Sequence, residues 1–197
     1  MTCSTCGPTS TSPTPSSPTP EPAVSPHPSR ILGLDPGSNA VGWGVIERRG
    51  RGWFLAGCGV LRAGGARRAL PDRLQTLYAG LLTLLECWHP HEAAVEDLFH
   101  ARNARAALVL GHARGVLLLA LAQHGIPMHS YSPPTVKQAV TGSGSASKEQ
   151  VRRWVCQWLG VPSEGIELDA SDALALALCH SRSTRRRRAG CEHRLHR

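Results

Sequence analysis

Apolar and polar positions along this chain change period in a readable order: three strand-like stretches, then helix, strand, helix, strand and three helices. Ile31 to Leu34 is a short continuous apolar run, closed by the turn residues Asp35, Pro36, Gly37 and Ser38. Gly42 to Glu47 and Trp53 to Leu61 read as second and third strands, with Arg48, Arg49, Gly50 and Arg51 as the hairpin between them. From Leu70 to Trp88 the apolar residues Leu74, Leu77, Tyr78, Leu81, Leu82 and Leu85 recur at helical spacing, and the pattern stops before Pro90. Ala93 to Glu96 is a short buried strand, Asn103 to Gln123 a long helix ended by Gly125 before Pro127, and Met128 to Tyr131 a fifth strand. Helices over Pro134 to Val140, Ser147 to Leu159 and Asp169 to Arg182 complete the order.

Strands joined first by short turns and then by helical crossovers predict an α/β fold, a mixed five-stranded sheet with helices on both faces. Parallel crossovers bring strand ends to one edge of such a sheet. Asp35 follows the first strand and Glu96 ends the fourth, so the two are neighbours if those strands pair. Asp169 and Asp172, three apart on a helix, share a face that can pack across the same edge. The expected organisation is a single domain over residues 30–182, between a leader (1–29) and an Arg-rich tail (183–197), both disordered. Thr9 to Ser29 is almost entirely Pro, Ser and Thr, which cannot bury enough apolar area to offset its ordering entropy.

Charge adds a partner class. The net charge of +8 and pI near 9.6 point to a polyanion. Residues 1–29 carry −1, residues 182–197 carry +6 and the stretch between them +3, so much of the excess sits near the C-terminus. The 7 cysteines are odd in number and scattered, which implies no disulfide framework, and no secretory or membrane-length apolar run is read. A reducing cytoplasm is the expected location. Cys3 and Cys6 form a C-x-x-C that Cys191, His193 and His196 could complete as a zinc set, but both halves lie in the expected tails.

Four carboxylates at strand ends and on one helix face, in a basic protein, can gather hard divalent cations against a phosphodiester. Phosphodiester hydrolysis needs an activated water, charge stabilisation at phosphorus and help for the departing oxygen, and two metal ions about 4 Å apart supply all three. Each acid alone also has a plainer reading, Asp35 as a turn residue and Asp169 as a helix N-cap. Glu92 and Asp97 are read as surface charges. Lys137 and Lys148 are the only lysines in a chain whose other basic residues are all arginine.

The segments Ile31-Leu-Gly-Leu-Asp-Pro-Gly-Ser38, Ala94-Val-Glu-Asp-Leu-Phe99, Leu110-Gly-His-Ala-Arg-Gly115, Pro134-Thr-Val-Lys-Gln138 and Asp169-Ala-Ser-Asp-Ala-Leu-Ala175 closely resemble, in order, those of the RuvC-type Holliday-junction resolvases. The resemblance runs from about Ile31 to His180. It implies a ribonuclease-H-like fold and a homodimeric, magnesium-dependent endonuclease. Such an enzyme cuts two strands of like polarity symmetrically at a four-way DNA junction, in recombination and repair, beside a branch-migration complex of RuvA and RuvB type. The four acidic positions of the family match Asp35, Glu96, Asp169 and Asp172, which would hold two Mg²⁺ ions, with Mn²⁺ as an alternative. Asp35 would bridge, Glu96 and Asp172 would divide the metals, and Asp169 would complete a shell or orient the water. Lys137 and Lys148 match positions near the active site, where a compact cation can hold the scissile phosphate.

Phe99 matches an aromatic position set against unstacked bases, a contact worth about 1 to 3 kcal/mol per base. Arg102 and Arg105 are candidate phosphate contacts. The long helix, with Ala106, Ala107, Gly111, Gly115 and its leucines, is too apolar for a one-sided surface helix, and in the family it contributes to the dimer interface. The leader and Arg185 to Arg188 depart from the family pattern; the Arg run would add salt-sensitive DNA affinity. Gly142 to Ser145 is expected to be a mobile loop beside Lys148. Three other functions compete: an actin-like ATPase, for which the chain is too short, a different ribonuclease-H-like nuclease acting on RNA hybrids, and a protein that binds junctions without cutting.

Overall fold

The computed structural model describes residues 30–65, 67–97 and 104–192, with side chains through Thr184. β1 (Arg30–Asp35), β2 (Ala40–Arg49) and β3 (Gly52–Arg62) form an antiparallel meander, and β4 (Glu92–Glu96) and β5 (Met128–Tyr131) add to it in parallel, giving the order β3-β2-β1-β4-β5. β1 is the central strand. It packs Ile31 towards one face and Leu32 and Leu34 towards the other, all buried, which is why it reads as an apolar run rather than an alternation.

Each face carries its own core. α1 (Leu70–Trp88) and α2 (Ala104–Gln123) cover one face, joining Leu77, Leu81, Ala113 and Leu117 to Leu32, Leu34, Val41 and Val45. α3 (Pro133–Thr141), α4 (Lys148–Leu159) and α5 (Leu168–Glu192) cover the other, joining Val136, Val151, Val155, Leu174 and Leu176 to Ile31, Ile46 and Ala94. The expected mixed five-stranded α/β sheet with helices on both faces is therefore the fold.

α5 sits unusually close to the sheet, and two glycines allow it. A Cβ added to Gly33 would lie 1.8 Å from the Ala173 carbonyl oxygen, and one added to Gly42 would lie 2.0 Å from that of Asp169. Backbone thus rests on backbone over β1 and β2, and this contact sets the height of the first turns of α5 above the end of β1. Gly33→Ala is expected to force the two elements apart, at the upper end of or beyond the 1–3 kcal/mol typical of overpacking. A urea titration of the variant against the parent measures it, and an unchanged midpoint would show the contact to be compliant.

Two expectations change. α5 continues past Arg182 to Glu192. Arginine is a good helix former and no helix breaker occurs between Arg182 and Gly190, so the basic run extends the helix instead of starting a tail. α2, in turn, is long and apolar enough to cross a membrane by length and composition, with mean hydropathy 1.6 over its apolar window. It nevertheless supplies Ala113, Leu117, Ala120 and Leu121 to the core beside α1.

Candidate active site

The site follows from strand register. β1 and β4 pair in parallel with Leu34 opposite Val95, so the next residues, Asp35 and Glu96, leave adjacent strand ends. Alternate strand residues share a face. Asp35 therefore points to the side of Ile31 and Gly33, and Glu96 to the side of Ala94, towards α5. Asp172 comes from above, immediately before Ala173, whose carbonyl lies over Gly33.

Lys148 is the first residue of α4. Ser147 caps that helix in a capping box: its hydroxyl accepts from the Gln150 amide, while the Gln150 side chain accepts from the Ser147 amide. A cation at a helix N-terminus opposes the helix dipole. Its compensation is Asp172, whose Oδ2 lies 2.5 Å from Lys148 Nζ. Lys137 enters from α3, which begins with two prolines after Ser132 and ends at Gly142 in the left-handed region. Asp35, Glu96, Asp172, Lys137 and Lys148 line one cleft of ≈ 180 Å³, walled by Pro133, Val136, Val151 and Ala175. Gly142 to Ser145, expected to be a mobile loop, forms a turn laced by hydrogen bonds of Thr141 Oγ1 with the Ser143 backbone and of Ser143 Oγ with Ser145 Oγ.

Burial and mutual repulsion shape the acids. Burial, then the charges of Glu96 and Asp172, hold the Asp35 carboxyl well above the usual carboxylate range, and Lys148 only partly offsets them. Burial likewise raises Glu96 and Asp172, although hydrogen bonds from Asp35 and Lys148, respectively, pull them down. For Lys148 burial acts downward, but Asp172 and the further charges of Asp35 and Asp169 prevail and raise it. Three carboxylates thus face one another with one closely bonded cation, and among the described residues the wall holds no Cys or His. That is an oxygen-donor set short of positive charge, which suits hard divalent ions.

The sequence-derived site is only partly assembled. Asp169, one turn before Asp172, lies near enough to act on Asp172 and Lys148 electrostatically but does not line the cleft. Arg105 is exposed in the first turn of α2. Phe99 and Arg102 lie outside the described residues, as do Cys3, Cys6, His193 and His196.

Arg114 was not singled out as a site residue, yet it steadies this edge. Its guanidinium donates to the Glu96 carbonyl oxygen at 3.3 Å and to Ser130 Oγ at 2.7 Å, and lies 3.9 Å from Asp97. The available signal was an arginine in the middle of a strongly apolar helix. Asp97 and Glu92, read as surface charges, are both engaged: Asp97 is paired with Arg114, and Glu92 accepts a hydrogen bond from His180.

A ribonuclease-H-like sheet with acids at the ends of two adjacent parallel strands, and another on the helix lying across them, defines a nuclease-type α/β fold. The chain's residues 31–180 match the family model described as "Crossover junction endodeoxyribonuclease RuvC". The chain belongs to the RuvC family. It is 48% identical over 152 residues to the crossover junction endodeoxyribonuclease RuvC of Chloroflexus aggregans, covering 77% of this chain and 92% of that protein. It is 44% identical to the Pseudomonas fluorescens protein of the same name, over 77% and 85% of the two chains. Among solved structures, T. thermophilus RuvC in complex with a Holliday junction substrate matches with TM-score 0.72 and 32% identity, over 78% of this chain and 93% of that one. The yeast mitochondrial Holliday junction resolvase Ydc2 shares the fold at TM-score 0.55 and 16% identity, over 78% and 79%.

Proposed function

We propose that this protein is a divalent-cation-dependent endonuclease that resolves four-way DNA junctions in recombination and repair, hydrolysing phosphodiester bonds symmetrically in two strands of like polarity. The observation that carries this reading is the convergence of Asp35, Glu96 and Asp172 with Lys148 in one cleft of a basic chain. Its membership of the RuvC family, and a solved relative bound to a Holliday junction, support the choice of substrate.

Two Mg²⁺ ions, with Mn²⁺ as an alternative, would supply an activated water and charge neutralisation when bound. Asp35, between Glu96 and Asp172, is suited to serve both ions, and Asp169 at the rim to complete an outer shell. Lys148 and Lys137 hold the scissile phosphate and the charge that develops on it. Phe99, Arg102 and Arg105 are proposed to meet bases and phosphates near the crossover, and the Arg-rich end of the chain to add salt-sensitive affinity. Work in the cytoplasm beside a RuvA- and RuvB-type branch-migration complex belongs to the same reading.

The apolar outer face of α2 supports a homodimer. Leu108 and Leu119 are 64% and 53% exposed, and with Leu74, Ala107, Gly111 and Gly115 they line a shallow groove of ≈ 740 Å³. Exposed apolar patches of this kind mark interaction sites, and a twofold pair would present two clefts to a near-twofold junction. Leu108→Glu combined with Leu119→Glu is expected to give a monomer by light scattering and to replace paired nicks by single, uncoupled ones. A dimer that persists would move the interface elsewhere.

The direct test is cleavage of a synthetic mobile four-way junction beside linear duplex and an RNA–DNA hybrid, with Mg²⁺ and with chelator. Paired symmetric nicks on the junction alone, lost with chelator, are expected. Cutting of the hybrid alone would transfer the assignment to another ribonuclease-H-like activity, and junction binding without cutting under any metal would make the protein a scaffold.

A further inference from the structure

A second group of ligand-bearing side chains lies on the α5 side of the sheet, away from the acidic cleft. Glu92 opens β4, His129 sits on β5 opposite Ala94, and His180 lies on α5, two helical turns beyond Asp172. One ligand atom from each falls within 4.8 Å of the others. The Nε2 atom of His129 is 3.9 Å from Glu92 Oε2, and His180 Nε2 is hydrogen-bonded to the same oxygen. Glu92 and Glu96 are four residues apart, roughly 13 Å along a strand, so this cluster cannot share an ion with the cleft.

We infer that Glu92, His129 and His180 form a transition-metal site of the zinc class, which pins α5 to β4 and β5. Two imidazoles and a carboxylate are donors that suit zinc and leave a coordination position for water, unlike the all-carboxylate cleft. An outer partner is already in place. The buried His180 directs Nδ1 to the Tyr131 hydroxyl at 2.7 Å, and metal-bound histidines typically use their second ring nitrogen in this way. With Nε2 donating to Glu92, Nδ1 accepts from Tyr131; with Nε2 on the metal, the ring proton moves to Nδ1 and Tyr131 accepts. The ion displaces the Glu92–His180 hydrogen bond, so neither ring nitrogen of His180 is left without a partner. The rings of His129 and His180 are stacked, with centroids 4.4 Å apart and planes inclined by 25°. His129 must therefore swing its Nε2 towards the ion, and its 30% exposed side chain has room to do so.

The test is titration of the full-length protein with Zn²⁺ against a chromophoric chelator, with Co²⁺ as an optical substitute. A zinc site that excess Mg²⁺ does not displace is expected, with a Co²⁺ spectrum lacking a thiolate charge-transfer band, and Zn²⁺ should raise the melting temperature. Tyr131→Phe should weaken binding about 10- to 100-fold. His129→Ala, a change at a partly exposed position outside the buried core, should weaken it at least as much and remove the thermal shift. Zinc affinity equal in the parent, His129→Ala and Glu92→Gln proteins would overturn the inference. So would a thiolate band that His129→Ala leaves intact, which would place the ion on cysteines, or a parent protein with no zinc site.

Discussion

Asp35→Asn is expected to reduce junction cleavage on the order of 10³-fold or more, about 4 kcal/mol of transition-state stabilisation, while junction binding persists. The amide keeps the size of the side chain and its place at the end of β1 but removes the charge on which the cleft converges. A gel-shift assay in chelator separates the two effects; binding that falls in parallel with cleavage would sink the assignment of Asp35 as a cation ligand. The same substitution should act on the metal-free fold in the opposite direction. The carboxyls of Asp35, Glu96 and Asp172 are all raised in the folded state, first by burial. A carboxyl raised on folding makes the native state bind more protons than the unfolded chain, so its stabilising contribution is present below the ordinary range near pH 4 and is lost as pH rises through the raised value. At neutral pH without divalent ions, these crowded acids therefore oppose folding. Asp35→Asn removes the one held furthest above its usual range, and its amide can keep the hydrogen bond to Glu96. Its melting temperature in chelator should exceed the parent's at neutral pH, the gap should narrow towards about pH 4, and Mg²⁺ should stabilise the parent more than the variant. A variant less stable than the parent at neutral pH in chelator would mean that Asp35 is a structural turn residue.

The long, strongly periodic elements were legible because one physical signal dominates each. α1 and β5 have the bounds expected from their patterns, and β1, buried on both faces, shows the continuous apolar run that such a strand requires. The closeness of Asp35 and Glu96 depended on β1 pairing with β4, as the structure has it. Other features were hidden because they arise from register and close approach. Glu92, His129 and His180 have no informative spacing along the chain and meet only because β4 and β5 pair in one register with α5 above them. Asp169 and Asp172 share a helix face, as their spacing requires, yet only Asp172 lines the cleft. α5 enters with the Asp169 carbonyl pressed against Gly42, so its first turn lies over β2 and its second over the end of β1. Arg114 was obscured because its role is to hold the backbone of Glu96, and a pattern of side-chain types does not report which carbonyl an arginine reaches.

Lys148→Met is expected to lower the cleavage rate at saturating Mg²⁺ by about 10²- to 10³-fold, the cost of removing one charge-stabilising donor from an enclosed site. Two roles for this lysine make different forecasts. Its ammonium is bonded to Asp172 and is the cation that most offsets the three raised carboxyls. If it served only as an internal counter-ion, divalent cations would replace it: Lys148→Met would be less stable in chelator, and Mg²⁺ would restore both stability and full cleavage. If it meets the phosphate, saturating Mg²⁺ restores stability but not the rate. Lys148→Arg tests the same point through shape. A guanidinium keeps the charge but is a planar fork, not a compact point donor, and here it would have to fit at the capped start of α4 over a cleft of ≈ 180 Å³. It should therefore recover stability in chelator but only a minor part of the cleavage rate. Lys137→Met should lose less, because Lys137 is only a minor influence on Glu96 and Asp172 and is not bonded to either. A Lys148→Met protein that cleaves within about tenfold of the parent at saturating Mg²⁺, a difference under about 1.4 kcal/mol, would reduce the lysine to the counter-ion role and leave the phosphate to Lys137.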